Sequence, residues 1–179
     1  MIAVTGASGN LGGRVASQLS ERGVPIRMIV RDPARAPQLD GAEVVVAAGY
    51  HDTDEMAAAL RGVDTLFLVS GRESPNRLDE HKSAVGAAAD AGVERVVYTS
   101  FANASPDTAF KLGRQHHWTE EHIRATGMAY TFLRDNLYLD FVPFFTNPDG
   151  VIAAPGGRRR SRRVRGPRRR RRRSSRGSH

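Results

Sequence analysis

The sequence predicts an α/β protein built on a doubly wound parallel sheet, and three observations predict it. Through residues 1–156, short β-branched or apolar runs alternate with longer amphipathic or alanine-rich stretches, the signature of repeated βα units. Several runs are hydrophobic without interruption, Val44-Val45-Val46 and Leu66-Phe67-Leu68-Val69 among them, as expected of strands covered on both faces. At 179 residues with 40 % hydrophobic side chains, the chain has the material for the core that such a sheet needs.

The elements follow in order, with no internal repeat. A first strand is expected at Ile2–Thr5, and Leu11, Val15 and Leu19, four residues apart, mark the inner side of a first helix that ends near Gly23. The second strand is Ile26–Val30. Asp32 then reads as a cap with Pro33 at the first helical position. Strands are expected at Glu43–Ala47, Thr65–Ser70, Arg95–Thr99 and Tyr130–Leu133. Crossover helices are expected at Asp54–Leu60, at Asp79–Ala91 with Gly92 as its stop, and from about 109 to 125 with Gly127 as its stop.

Composition narrows the function classes. With no cysteine there is neither a disulfide framework nor a thiolate zinc site, and no metal is expected. No apolar run approaches the roughly 18 residues of a membrane span, and the N-terminus lacks the basic region of a signal peptide. The chain therefore reads as soluble and cytoplasmic. Its net charge of +8 is unevenly placed: residues 1–156 carry 14 Lys+Arg against 19 Asp+Glu, whereas 157–179 carry 13 Arg and no acid. That tail holds one hydrophobic residue, Val164, too little to offset its ordering entropy, so it is expected to be disordered. The expected organisation is a globular domain over 1–156 and an arginine-rich tail over 157–179.

The strongest chemical signal is Gly6-Ala7-Ser8-Gly9-Asn10-Leu11-Gly12, with glycines at 6, 9 and 12, directly after a strand and before a helix. A pyrophosphate bound at a helix N-terminus needs close backbone approach, which side chains at these positions would block. An ordinary Gly-rich turn is the plainer reading, but the context of the first βα junction favours a dinucleotide and a Rossmann-type sheet. At the end of the second strand, Asp32 is taken by its capping role and Arg31 is left to meet a ribose 2′-phosphate, so NADP is expected over NAD.

The same residues resemble the NmrA-like branch of the atypical short-chain dehydrogenases, in particular its NAD(P)H:quinone oxidoreductase type. The resemblance lies in Ala3 to Gly12, Val30-Arg31-Asp32-Pro33, Gly62 to Ser70, Arg77 and His81, Ala91 to Ser100, His116 to Glu121 and Tyr130 to Asn136, so it covers about the first 155 residues. It implies that Gly6, Ser8, Gly9, Asn10 and Leu11 wrap the pyrophosphate, that Arg31 meets the 2′-phosphate, and that Ser70 and Gly71 lie along the cofactor. It also implies NADPH-dependent hydride transfer to a quinone-like acceptor. Where the family carries Asp-Tyr after the third strand, this chain has Gly49-Tyr50, which implies weaker hold on the adenine. The family continues into a substrate lobe; here that lobe is expected to be largely missing, its place taken by the arginine tail.

The Tyr-x-x-x-Lys pair of typical short-chain dehydrogenases is absent, since Leu78 and Asp107 stand four residues before Lys82 and Lys111. That excludes the usual alcohol–ketone mechanism but leaves quinone reduction, in which the nicotinamide supplies the hydride. Candidates on the acceptor side are Ser100 and Phe101 after the fifth strand, His116 as a proton donor on the next helix, and Asn136 after the sixth strand. His81 and Trp118 are expected to be packing residues. A non-catalytic, NADP-binding redox sensor of the NmrA-like type is the rival reading. A third gives the tail a function, yet without aromatic residues its nucleic-acid binding would be sequence-blind and salt-sensitive. The tail's Arg, Gly, Pro and Ser also match an out-of-frame reading of a GC-rich gene, which the nucleotide sequence tests. Apolar surface near Phe141, Phe144 and Phe145, bared by a missing lobe, would favour self-association into a homo-oligomer.

Overall fold

Residues 1–136 and Tyr138 are described by the structure, a computed structural model. The chain divides into two units, Met1–Asn136 and Leu137–His179, of which the first is described here. The expected boundary between 156 and 157, the tail and Phe141, Phe144 and Phe145 lie outside the described residues.

The elements run β1 (Ile2–Thr5), α1 (Asn10–Ser20), β2 (Ile26–Val30), a 3-10 turn (Pro33–Arg35), β3 (Ala42–Val46), α2 (Thr53–Leu60), β4 (Thr65–Leu68), α3 (Arg77–Asp90), β5 (Arg95–Phe101), α4 (Lys111–Ala125) and β6 (Ala129–Asp135). All strand pairs are parallel, in the order β3-β2-β1-β4-β5-β6. This is the Rossmann-type doubly wound sheet that the sequence predicts. The chain reverses direction across the sheet between β1 and β4, and ligands of such sheets bind at the carboxyl ends of the strands there.

Alternation along the strands builds two cores. Ala3, Leu66, Leu68, Val96 and Tyr98 face α2, α3 and α4, where Met56, Leu60, Ala84, Val85, Ala88 and Ile123 meet them. Val4, Ile26, Met28, Val30 and Phe67 face Ala16 of α1. The inner line of α1 runs through the small Gly12 and Ala16, with Leu11, Val15 and Leu19 half-buried beside it. The helix stops behave as expected. Gly92 takes a φ of +79°, and the Val93 N–H closes back on Ala88 C=O at 3.0 Å, a conformation open to glycine at little cost.

Two expectations about burial are corrected. Val44 and Val46 are not covered on both faces: they are 42 % and 51 % exposed. They lie beside Met28 and Val30, on the face that α1 covers, but at the edge strand α1 no longer reaches them. Trp118 is not a packing residue. It is 48 % exposed and rests edge-on against His117, because the inner line of α4 runs through His116, Thr119, Glu120 and Ile123.

Candidate functional site

The turn between β1 and α1 is shaped by what its glycines lack. Gly6 adopts a φ of +62°, and its C=O accepts the Gly9 N–H at 2.9 Å. A Cβ on Gly12 would lie 2.4 Å from the Gly6 oxygen and 2.8 Å from that of Thr5, so only glycine lets α1 start this close to β1. Gly9 caps α1 in an extended conformation without a side-chain cap bond. The first N–H groups of α1 therefore have no intrahelical partner and make a ready anion site. An open groove of about 570 Å³ runs past Ser8, Gly9 and Asn10 along α1, and Arg14 and Arg35 line it. Arg31 is exposed just past β2, and the Asp32 carboxylate accepts the Ala34 N–H at 3.0 Å, the capping role expected of it.

On the other side of β1, the chain leaves the ladder after Leu68 and is strapped by side chains from four neighbouring segments. The Val69 N–H donates to Thr5 Oγ1 at 2.9 Å, and the Tyr50 hydroxyl donates to the Val69 C=O at 2.6 Å. The Ser70 N–H donates to Thr99 Oγ1 at 2.7 Å. The Gly71 N–H donates to His81 Nε2 at 2.8 Å, and Arg77 Nε–H donates to the Gly71 C=O at 2.8 Å. Burial pushes the Tyr50 phenol up to about 12, so it stays a neutral donor. Ser70 and Gly71 thus stand just past the end of β4, beside the β1 turn.

Behind this segment lies a buried polar layer. Arg77 donates from Nη2 to His116 Nε2 at 3.0 Å, which makes that nitrogen an acceptor and leaves the ring proton on Nδ1, 2.8 Å from the Tyr98 hydroxyl. In His81, Nε2 is taken by Gly71, so Nδ1–H donates to Thr119 Oγ1 at 3.0 Å, whose hydroxyl donates to the Gln115 C=O. Burial first, and then the nearby Arg77 cation, lowers both imidazoles: His116 falls to about 3 and His81 well below its ordinary value. Both rings are neutral at physiological pH. His116 is therefore placed differently from a solvated proton donor, with both nitrogens engaged away from water. His81 is buried as expected, with the added task of holding Gly71.

Ser100 is equally committed. It is buried at the end of β5, and its hydroxyl donates to Glu120 Oε1 at 2.5 Å. Glu120, fully buried on α4, accepts two bonds from the Arg134 guanidinium at 2.9 and 2.6 Å and pairs with Arg124 at 3.3 Å. Burial pushes this carboxyl up, but the bonds from Arg134 and Ser100 and the two cations outweigh it and hold the group below its ordinary value. Glu120→Gln keeps the shape but removes the charge. About 2 kcal/mol should be lost, since hydrogen bonds to charged groups contribute about 1.5–3 kcal/mol; an unchanged urea midpoint would contradict this. Asn136 is exposed one residue past β6, and the Phe101 ring stacks on His116.

Sequence reasoning missed the straps from Thr5, Tyr50 and Thr99, and gave Arg77, Glu120 and Arg134 no role. One signal was available. Arg77 and His81 stand four apart on the same helix line as Ala84, Val85 and Ala88, which marks them as inward-facing.

Residues 6–163 match the sequence pattern of a family described as NAD(P)H-binding. Quinone oxidoreductase 2 of Escherichia coli (strain K12) is 39 % identical over 143 residues, 77 % of this chain and 49 % of that protein. An NmrA-like family domain-containing oxidoreductase, FrzB of Cladobotryum sp., is 37 % identical across 89 % of this chain and 59 % of its own length. Among solved structures, triphenylmethane reductase of Citrobacter sp., complexed with NADP(H), superposes with a TM-score of 0.72 at 39 % identity, over 82 % of this chain and 52 % of that one. The chain spans about half the length of the curated relatives it matches. No described helix is long and apolar enough to cross a membrane. With a glycine cradle that no Cβ could enter, a bare helix start and that sequence pattern, the chain belongs to the NAD(P)H-binding family.

Proposed function

We propose that this chain binds NADPH across the carboxyl ends of β2, β1 and β4 and serves a reductase of conjugated acceptors of the quinone class. The observation that carries the proposal is the glycine cradle: the 2.4 Å approach that a Gly12 Cβ would make to the Gly6 oxygen leaves room for backbone alone, the condition for seating a pyrophosphate on α1. Arg31, with Arg14 and Arg35 along the groove, supplies cations for the 2′-phosphate. NADPH is therefore favoured over NADH.

Within this reading, each residue acts by holding or orienting. The N–H groups of Asn10, Leu11 and Gly12 face the pyrophosphate, with Gly6, Ser8 and Gly9 forming the turn that delivers them. Ser70 and Gly71 line the nicotinamide half. When bound, the nicotinamide supplies a hydride to the acceptor, and the second proton of the reduced quinone comes from water. Ser100 and His116 support that arrangement from below: with their hydrogens directed to Glu120 and Tyr98, they are positioning residues, and neither offers a proton to an acceptor. Phe101, at the end of β5, and Asn136, exposed past β6, are the remaining acceptor-side candidates.

The same commitment of Ser100 and His116 also favours a second reading, a domain that binds NADP without turnover and reports its redox state. The experiment that separates them is NADPH oxidation with and without a simple quinone. Acceptor-dependent oxidation supports the reductase; binding without oxidation supports the sensor. Arg31→Gln should weaken NADPH about tenfold and leave NADH unchanged, the worth of one charge-assisted bond. Equal loss for both nucleotides, measured by fluorescence titration, would contradict the role given to Arg31.

A further inference from the structure

Gly71 is held at both ends by buried side chains of one helix. Its N–H donates to His81 Nε2 and its C=O accepts from Arg77 Nε, each at 2.8 Å, and the two side chains stand one turn apart on α3. The approach is close, since a Cβ on Gly71 would lie 3.3 Å from His81 Nε2. Arg77 is 2 % exposed, and no described carboxylate is in ion-pair contact with it, Glu73 and Glu80 acting only from further off; its other bonds run to His116, to Tyr98 and, at 3.5 Å, to Gln115. A buried guanidinium with no carboxylate in contact is a costly way to fill space, and an apolar side chain of its size would serve stability better. What the arrangement does provide is a fixed course for residues 70 and 71.

That course has a consequence for Ser70. The peptide between Ser70 and Gly71 is trans, as all described peptides are, so pointing its N–H at His81 sends the Ser70 C=O the opposite way, away from α3. Among the described residues neither this C=O nor the Ser70 hydroxyl has a hydrogen-bond partner, while every other backbone N–H and C=O from Val69 to Gly71 is bonded to a side chain. Two free polar groups thus stand at the β4 end, across β1 from Arg31.

We infer that Arg77 and His81 are positioning residues for the nicotinamide-ribose half of the bound nucleotide. By clamping Gly71 they present the Ser70 C=O and hydroxyl to the hydroxyl and amide donors of that half. The inference rests on the NADPH-binding reading above and adds a division of labour: the β1 turn and the arginines hold the adenosine 2′-phosphate and pyrophosphate, and the α3 clamp holds the other end.

The test compares two ligands on the full chain. NADPH contains both halves, whereas adenosine 2′,5′-bisphosphate lacks the nicotinamide-ribose half. Arg77→Met and His81→Leu should weaken NADPH about tenfold, the worth of a lost set of well-placed hydrogen bonds, and leave the bisphosphate within about twofold. His81→Gln, whose amide oxygen can accept the Gly71 N–H, should recover most of the NADPH affinity and serves as the folded reference if His81→Leu does not fold. Hydrogen exchange at the Gly71 amide should speed up in His81→Leu and Arg77→Met and not in His81→Gln. Equal weakening of both ligands, or of neither, would overturn the clamp while leaving the NADPH reading intact. A wild-type chain that binds neither ligand would overturn the NADPH reading and the clamp with it.

Discussion

Gly12→Ala is expected to abolish nucleotide binding and to lower stability by about 3 kcal/mol, the upper part of the usual range for overpacking. The added methyl would sit 2.4 Å from the Gly6 oxygen, 2.6 Å from the Gly6 carbonyl carbon and 2.8 Å from the Thr5 oxygen. All three are backbone atoms at the end of β1, so none can swing aside as the tip of a side chain would. The start of α1 must move off the strand, and the N–H groups that face the pyrophosphate move with it. Affinity for NADPH should fall at least about 100-fold, corresponding to roughly 3 kcal/mol. Gly86→Ala on α3 is the matched control. A Cβ there meets nothing within 4 Å, and the change should leave binding intact and add about 0.5–1 kcal/mol of stability. Titration and urea unfolding of the two variants check both halves, and a Gly12→Ala protein that binds as the wild type does would contradict the cradle.

Acid should destabilise the fold well above the pH at which carboxylates titrate. The unfolded His116 takes up a proton near pH 6.5, while in the fold burial and Arg77 hold its pKa down to about 3. Between those values the unfolded chain binds more protons, so stability falls as pH drops through this window and is level above it. From pH 7 to pH 5 the loss from His116 is about 2 kcal/mol. His81 acts in the same direction. Glu120, held below its ordinary value, adds a further loss only at lower pH, as the unfolded carboxylate protonates first. Urea midpoints at pH 7 and pH 5 measure the effect, and His116→Gln, which cannot titrate, should reduce the difference by about 2 kcal/mol. Equal midpoints in the wild type would mean that the two imidazoles are not held neutral.

The sheet was legible in the sequence because parallel strands are apolar and short and their crossovers end in glycine. The expected ends Ala47, Ser70, Thr99 and Leu133 each fall within two residues of the observed ends Val46, Leu68, Phe101 and Asp135. The exposure of Val44 and Val46 was not legible, because an apolar run does not say whether its strand lies at an edge or at the centre. On α3 and α4 the obstacle was different. Their inner lines carry Arg77, His81, Gln115, His116, Thr119 and Glu120, so a search for apolar periodicity passes over the faces that pack. The glycine turn and Arg31 could be read because the chemistry is contiguous. The straps on Val69, Ser70 and Gly71 come from Thr5, Tyr50, Thr99, His81 and Arg77, which only the folded sheet brings together. For the same reason the commitment of Ser100 to Glu120 and of His116 to Arg77 and Tyr98 could not be foreseen from their place near strand ends.

The central claim is that the β1 turn, Arg31 and the strapped end of β4 form one NADPH site. Titration of the purified chain with NADPH and NADH, read by the fluorescence of the reduced nicotinamide, tests it most directly. The account predicts saturable binding of NADPH with an affinity at least about tenfold above that of NADH, from the charge-assisted contacts to the 2′-phosphate. Absence of binding by either nucleotide to the folded chain, or an equal affinity for both, would contradict it.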